Sequence, residues 1–441
     1  MIERIGIEKE MNIRRIKDSL SKKYQKMASD YGKHRAAVMG CSYIMYKIFL
    51  MPVIRLMKKT IHTPKKNRII METKPDYADN GRVLSEYMVE NGYTDKYQII
   101  WLVENPKQFR KYETKNVKFV RSIGKHHIQR TVRAYYYALT SKYVLFTHVF
   151  RWVEKKLPDQ LYVNLWHGCG YKASRRVPGK ENIFDYCLVP GKVFIDTKAE
   201  FFGCRKDQVL PIGYPRYNLY RKDNPAVEEY FASLSSDSPQ KKPRKNILWM
   251  PTFVQSKDLI HYDNPIPAII GLPLMNSVLD LDRLEKICEE ADVNLIIKRH
   301  RIGRTPQMDK GQKKEQHVFY LDDDILASKG IQLYEMIAKT DALITDFSSV
   351  AIDYILVDKP IGFTLDGLED YAKTRGFAFE DPRKYMPGEH IYNLDDLAVF
   401  LKNVTEGVDL GKEQRRQIIN ETHNRTDDYC KRILDRFEIV K

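Results

Sequence analysis

The residues best placed to do chemistry lie where short apolar runs stop. The run Leu161-Tyr162-Val163-Asn164 leads into Leu165-Trp166-His167-Gly168-Cys169-Gly170-Tyr171-Lys172. A neutral imidazole can take a proton from a hydroxyl near pH 7. Glycines beside it let the backbone approach a ligand closely. A structural histidine bonded to a loop carbonyl would give the same pattern, so His167 alone leaves both readings open. Cys169 is a weaker candidate nucleophile, because no neighbour marks it as activated and adjacent residues of extended chain point apart.

Two further strand ends carry polar clusters. Val293 to Ile297 is followed by Lys298-Arg299-His300-Arg301, a set of cations suited to phosphate oxygens or to a solvated turn. Leu343-Ile344-Thr345 stops at Asp346, and Ser348 or Ser349 can cap a helix running through Val350-Ala351-Ile352-Asp353-Tyr354. Free N–H groups and a partial positive charge at such a helix start can hold a phosphate. One serine is explained by capping; a second serine and an Asp point further, to a ligand. The loops Gly213-Tyr214-Pro215-Arg216-Tyr217-Asn218 and Met250-Pro251-Thr252-Phe253 also follow apolar runs, and each could be a plain turn. Asp322-Asp323-Asp324 resembles a metal-binding acidic motif, but its flanks read as ordinary turn and cap.

The elements that must position these residues alternate along the chain. β-branched and aromatic runs at 68–72, 97–103, 117–120, 143–147, 161–166 and 186–189 are separated by longer mixed stretches. After the polar segment SLSSDSPQKKPRK at 233–245 the alternation resumes at 246–250, 293–297, 317–321, 341–345 and 360–363. Strands spaced by helices predict parallel α/β sheets. In such sheets ligands bind at the carboxyl ends of strands. With 441 residues, two α/β domains are expected, at 65–235 and 245–425. No repeat at solenoid spacing is present.

The formal charge of +16 is unevenly distributed: residues 1–70 hold 17 Lys or Arg against 5 acids. Within that segment AAVMGCSYIMYKIFLMPVIRLM (36–57) is apolar and aromatic, yet its longest uncharged run is 11 residues. A bilayer span needs about 20. Residues 1–64 are therefore expected to form a basic amphipathic segment on an anionic membrane surface, with a helix packed on the protein's own body as the alternative. Charge concentrated beside an apolar stretch argues against a nucleic-acid-binding face. The six cysteines show no CxxC pair, which argues against a disulfide framework or zinc site and for a reducing cytoplasm.

Taken together, WHG with Lys172 nearby, GYPRYN at 213–218, ILWMPTF at 247–253, LIIKRH at 295–300 and DALITDFSSVAIDYILVDKPIGF with Arg375-Gly376-Phe377 resemble the CDP-glycerol:poly(glycerophosphate) glycerophosphotransferase family, over residues 68–385. The resemblance implies a GT-B-like α/β fold of two Rossmann-like domains with a cleft between them. It implies His167 as general base, and His300 contacting the donor diphosphate or protonating the departing phosphate. Ser348 and Ser349 would bind donor phosphate, assisted by Thr252 and Arg375. The full substrate-binding set is Lys172, Arg216, Thr252, Lys298, Asp346, Ser348, Ser349 and Arg375. Expected partners are a CDP-glycerol donor and a polyprenyl-diphosphate-linked acceptor at the cytoplasmic face of the membrane; no nucleic acid, metal or cofactor is required, and homo-oligomerisation is left open. CDP-ribitol as donor, or a nucleotide sugar in a GT-B glycosyltransferase, are the alternatives. Tyr171, Val254 and Arg301 depart from the family's usual residues, and Tyr171 and Val254 are expected to line the acceptor or alditol pocket.

Overall fold

A computed structural model of the chain describes residues 38, 46–61, 63–123, 131–150, 152, 156–173, 183–234, 243–251, 272–275, 277, 279–298, 316–374 and 376–441. The expected Thr252, His300 and Arg375, together with Val254 and Arg301, lie outside the described residues, as do 235–242 of the polar connection and most of residues 1–45. The described residues fall into two compact units, one within Met1–Gly81 and Met88–Val163, the other comprising Arg82–Tyr87 and Asn164–Val440.

In the first unit helix α1 (Met51–Thr60) precedes strand β1 (Lys65–Glu72), then β2 (Gln98–Val103), β3 (Val117–Arg121), helix α2 (Val132–Thr140), β4 (Ser141–Phe146) and β5 (Leu161–Asn164). Their lateral order is β3-β2-β1-β4-β5, and β1 pairs parallel with both β2 and β4. The strands are apolar in the stretches buried on both faces of the parallel sheet, as at Ile69 to Met71 of β1 and Ile99 to Val103 of β2, which are buried without interruption. Helix α1 packs on α2 with Ile54 buried, and the Lys58 ammonium lies 5.9 Å from the Tyr135 ring. Val53 and Leu56, with Ile48 and Phe49 just before the helix, face outward: Phe49 is 58% and Leu56 61% exposed, beside exposed Arg55 and Lys59. In this part of the segment one residue, Ile54, is buried and an apolar-basic surface lies beyond it. No helix among the described residues is long and apolar enough to cross a membrane.

The second unit holds the strand pair β6 (Tyr186–Leu188) and β7 (Val209–Leu210), with helix α3 (Ile195–Phe202) between them. Its main sheet contains β8 (Lys245–Met250), β9 (Val293–Lys298), β10 (Val318–Leu321), β11 (Ala342–Thr345), β12 (Ile361–Thr364) and β13 (Glu389–Ile391) in the order β10-β9-β8-β11-β12-β13. Every registered pairing is parallel. Chain order reverses between β8 and β11, the switch point where doubly wound sheets open a crevice at the carboxyl ends. Ile247, Trp249, Leu295, Ile297 and Ile344 form the core there with Phe400 and Leu401 of the helix Leu394–Glu406. Helices α4 (Asp323–Ser328), α5 (Leu333–Lys339) and α6 (Ser349–Tyr354) connect these strands.

Candidate functional site

The site belongs to the second unit and starts where β5 ends. Asn164 is buried and its side-chain oxygen accepts the Trp166 N–H at 2.9 Å, turning the chain as soon as the strand stops. The turn puts Trp166 at φ +52, a conformation a bulky residue holds only when its surroundings impose it. Those surroundings are Phe201 and Phe202 edge-on to the indole, and the Lys198 ammonium 5.0 Å from its ring centre. His167 follows, half-buried, its ring 4.0 Å from that of Trp166.

The two glycines have a structural explanation that the sequence does not supply. Gly168 sits at φ +144, and a Cβ there would lie 2.5 Å from Ser349 Oγ. A Cβ on Gly170 would lie 2.9 Å from both Ser349 N and Ser349 Cα. The close approach they permit is therefore to the start of α6, which brings the His167 loop and the Ser348-Ser349 pair together.

The other half of the site is the end of β11. Ala342 to Thr345 are buried, and Thr345 Oγ1 donates to the Met250 carbonyl at 2.7 Å, tying β11 to β8 at the switch point. Asp346 is buried immediately afterward. Ser348 is the N-cap of α6 with extended backbone, but its side chain makes no capping hydrogen bond. Capping thus does not account for the Ser348 hydroxyl.

Arg216, on the 3-10 helix Pro215–Arg221, is buried and its fork is committed inside the protein. One nitrogen donates to the His167 carbonyl at 3.0 Å and another to Asp353 Oδ2 at 2.7 Å. Asp353 is fully buried near the end of α6 and also accepts from the Tyr217 hydroxyl and, at 2.6 Å, from that of Tyr334 on α5. The Tyr220 hydroxyl reaches its backbone carbonyl at 3.0 Å. The Arg216 guanidinium lies 4.9 Å from the Tyr214 ring centre and 4.6 Å from that of Tyr334. Sequence reasoning gave Asp353 no role, though a lone carboxylate inside the apolar run VAIDYIL signals a buried partner. Lys198 carried no signal of its own.

Lys172 is half-buried and forms an antiparallel bridge with Phe377, and Ala173 N–H donates to the Gly376 carbonyl at 2.9 Å, which brings the loop's end beside the neighbours of Arg375. Lys298, at the end of β9, pairs with Asp323 at 2.7 Å. Asp322 caps α4 by accepting the Ile325 N–H at 2.8 Å, so the acidic triplet works as the turn and cap its flanks suggest. Tyr171 does not line a pocket. It is fully buried, donates to the Tyr385 carbonyl at 2.7 Å and packs edge-on to Phe363 and Phe379. Cys169 is buried against the Tyr214 hydroxyl at 3.2 Å, and burial pushes its thiol up, away from a reactive thiolate.

The family model described as CDP-Glycerol:Poly(glycerophosphate) glycerophosphotransferase matches residues 55–436. A teichoic acid ribitol-phosphate primase of Bacillus spizizenii is 28% identical over 255 residues, covering 54% of this chain and 59% of the primase. The teichoic acid ribitol-phosphate polymerase TarK of Staphylococcus aureus is 23% identical over 371 residues, 80% of this chain and 66% of the polymerase, so the chain spans less than two thirds of either protein. A teichoic acid glycerol-phosphate transferase of S. aureus is 24% identical, covering 78% of this chain and 85% of that protein. The solved structure of the wall teichoic acid polymerase TagF superposes with a TM-score of 0.64 at 20% identity, over 96% of this chain and 97% of that one. That likeness shows the fold: two parallel Rossmann-like sheets of GT-B type.

Proposed function

Since the chain belongs to the CDP-glycerol:poly(glycerophosphate) glycerophosphotransferase family, we propose that it transfers glycerol phosphate, or a related alditol phosphate, from a CDP-alditol to a hydroxyl of a membrane-linked acceptor and releases CMP. The observation that carries this reading is the packing of the His167 loop, at Gly168 and Gly170, directly on Ser349. A proton acceptor and a helix start suited to phosphate are thereby held side by side.

In this reading the acceptor oxygen attacks the phosphorus that bears the alditol, and its proton passes to the His167 imidazole. The bond to CMP breaks, and the electron pair leaves on the CMP phosphate. Negative charge on the non-bridging oxygens meets the N–H groups at the start of α6 and the Ser348 and Ser349 hydroxyls. Fixed donors and positioning carry most of the catalysis of phosphoryl transfer. Residues 245–425 bind the donor, with Thr252, His300, Lys298, Asp346 and Arg375 as contacts, and 65–235 serve the acceptor. The outward Phe49, Val53 and Leu56 with Arg55 and Lys59 suit the interface of an anionic membrane. Deleting residues 1–60 is expected to release the protein from anionic vesicles while it still turns over donor.

The test is CMP or UMP/UDP release from CDP-glycerol, CDP-ribitol and UDP-sugars with a polyprenyl-diphosphate-linked acceptor. CMP release from a CDP-alditol is expected, lost in His167→Ala and His300→Ala. Full activity in both variants, or turnover of UDP-sugars alone, would overturn the proposal.

A further inference from the structure

We infer that Arg216 and Asp353 form a positioning pair that sets His167 against the phosphate-binding end of α6, so that one short helix determines the placement of both reacting groups. The inference rests on the reading of His167 as the base.

The connection is continuous. Helix α6 begins at Ser349, which packs on Gly168 and Gly170, and it carries Asp353 one turn later. Asp353 holds Arg216 at 2.7 Å, and the same guanidinium holds the carbonyl of His167 at 3.0 Å. The loop is therefore fixed to α6 at two places, at the His167 carbonyl through Arg216 and at Gly168 and Gly170 just after it. This matters because Trp166 and Gly168 both have positive φ, and the Lys172–Phe377 bridge is the first β-bridge after β5. Fixing a carbonyl fixes the peptide plane and with it the direction of the attached side chain.

An arginine is required for this arrangement. Its planar fork serves two acceptors at once and stacks on rings, here those of Tyr214 and Tyr334, whereas a lysine offers a single point charge. Asp353 is ordered in turn by Tyr217 and Tyr334, so the pair cannot swing without breaking further hydrogen bonds. Arg216 is therefore a positioning residue that acts through His167.

The experiment is a double-mutant cycle. Arg216→Lys and Asp353→Asn keep a donor and an acceptor in place, and Tyr334→Phe removes a single hydroxyl while leaving the ion pair, which keeps the test available where the first two lower the yield of folded protein. Folding is checked by thermal melting and donor affinity by calorimetry with CDP-glycerol. A displacement of the base of about 1 Å costs about 10²-fold. Arg216→Lys and Asp353→Asn are expected to lose 10- to 100-fold in kcat, and Tyr334→Phe about threefold, with donor Kd and KM unchanged. In a His167→Ala background, followed by release of radiolabelled CMP at the residual rate, the same substitutions are expected to change kcat less than twofold. Wild-type kcat in the folded single variants would overturn the inference. So would the same fold-loss in the His167→Ala background, or a raised donor KM at unchanged kcat, which would make Arg216 a substrate contact. A fully active His167→Ala would instead overturn the base assignment beneath it.

Discussion

After β11 the chain passes from strand to helix within a few residues on local signals, an apolar run, an Asp and two serines. After β5 it is bent at Trp166 into the left-handed region and held there by residues far away in sequence: Phe201, Phe202, Arg216 and Ser349. The two strand ends meet at one site but are built differently. A helix start presents its donors wherever the helix begins, whereas the histidine loop has its shape only while the tertiary contacts around it persist. Binding can thus tolerate local change at the first, while turnover is sensitive to remote change at the second.

The largest effect that would test this contrast is expected at Gly170. Its Cβ would meet backbone atoms of Ser349, which cannot rotate away, so Gly170→Ala must move the loop or the helix. Overpacking of this kind costs about 1–3 kcal/mol, and activity is expected to fall at least ~100-fold through misplacement. Gly407→Ala is the control: its φ is +77 but nothing lies within 4 Å of the added methyl. It should cost about 1–2 kcal/mol of backbone strain and leave CMP release unchanged. Equal activity losses in both would erase the distinction between strained and crowded glycines.

At the β11 end a smaller and differently distributed effect is expected. Ser348 makes no capping bond, so Ser348→Ala should cost well under the ~1 kcal/mol typical of a lost N-cap. A hydrogen bond to a charged phosphate is worth about 1.5–3 kcal/mol, so the donor KM should rise at least ~10-fold. A melt lowered by the full capping amount with unchanged KM would show that the hydroxyl serves the helix after all. Tyr171→Phe should lose about 1 kcal/mol of stability by orphaning the Tyr385 carbonyl. Its donor and acceptor KM should stay at wild-type values; a changed alditol preference would return Tyr171 to the pocket.

What could be read from the sequence follows the same division. Strands buried on both faces announce themselves as continuous apolar runs, and β1, β2, β8, β9 and β11 stand where those runs lie. The short β7 (Val209–Leu210) showed only as the apolar residues before the Gly213 loop, and the polar β13 (Glu389–Ile391) has no such run and was illegible. At the site, histidine, serines and helix start were visible because each is local chemistry at a strand end. The commitment of Arg216 to Asp353, 137 residues away, and the burial of Tyr171 were not, because a charge or ring has no sequence mark for the partner it finds. Gly168 and Gly170 were noticed for the close approach they allow, but the sequence could not show that Ser349 at the start of α6 is a neighbour they admit.

The mildest test of the contrast uses pH. His423 is fully buried beside Thr422, 5.8 Å from the Tyr217 ring in the segment that carries Arg216, and burial pushes its imidazole down to about 3. The unfolded chain binds this proton near pH ~6.5 and the native state does not. The contribution of His423 to stability is therefore complete above about pH 6.5 and is lost as pH falls below that value toward the folded pKa, at up to ~1.4 kcal/mol per pH unit. The denaturant midpoint is expected to drop between pH 7 and 5, with hydrogen exchange rising first in residues 214–221 and 166–170. The backbone of α6 should keep its protection. His423→Gln, which takes up no proton, should flatten that part of the profile. A drop of the same size in the Gln variant would assign the acid sensitivity to other groups, and early exchange in α6 would mean that the two strand ends do not differ in what holds them.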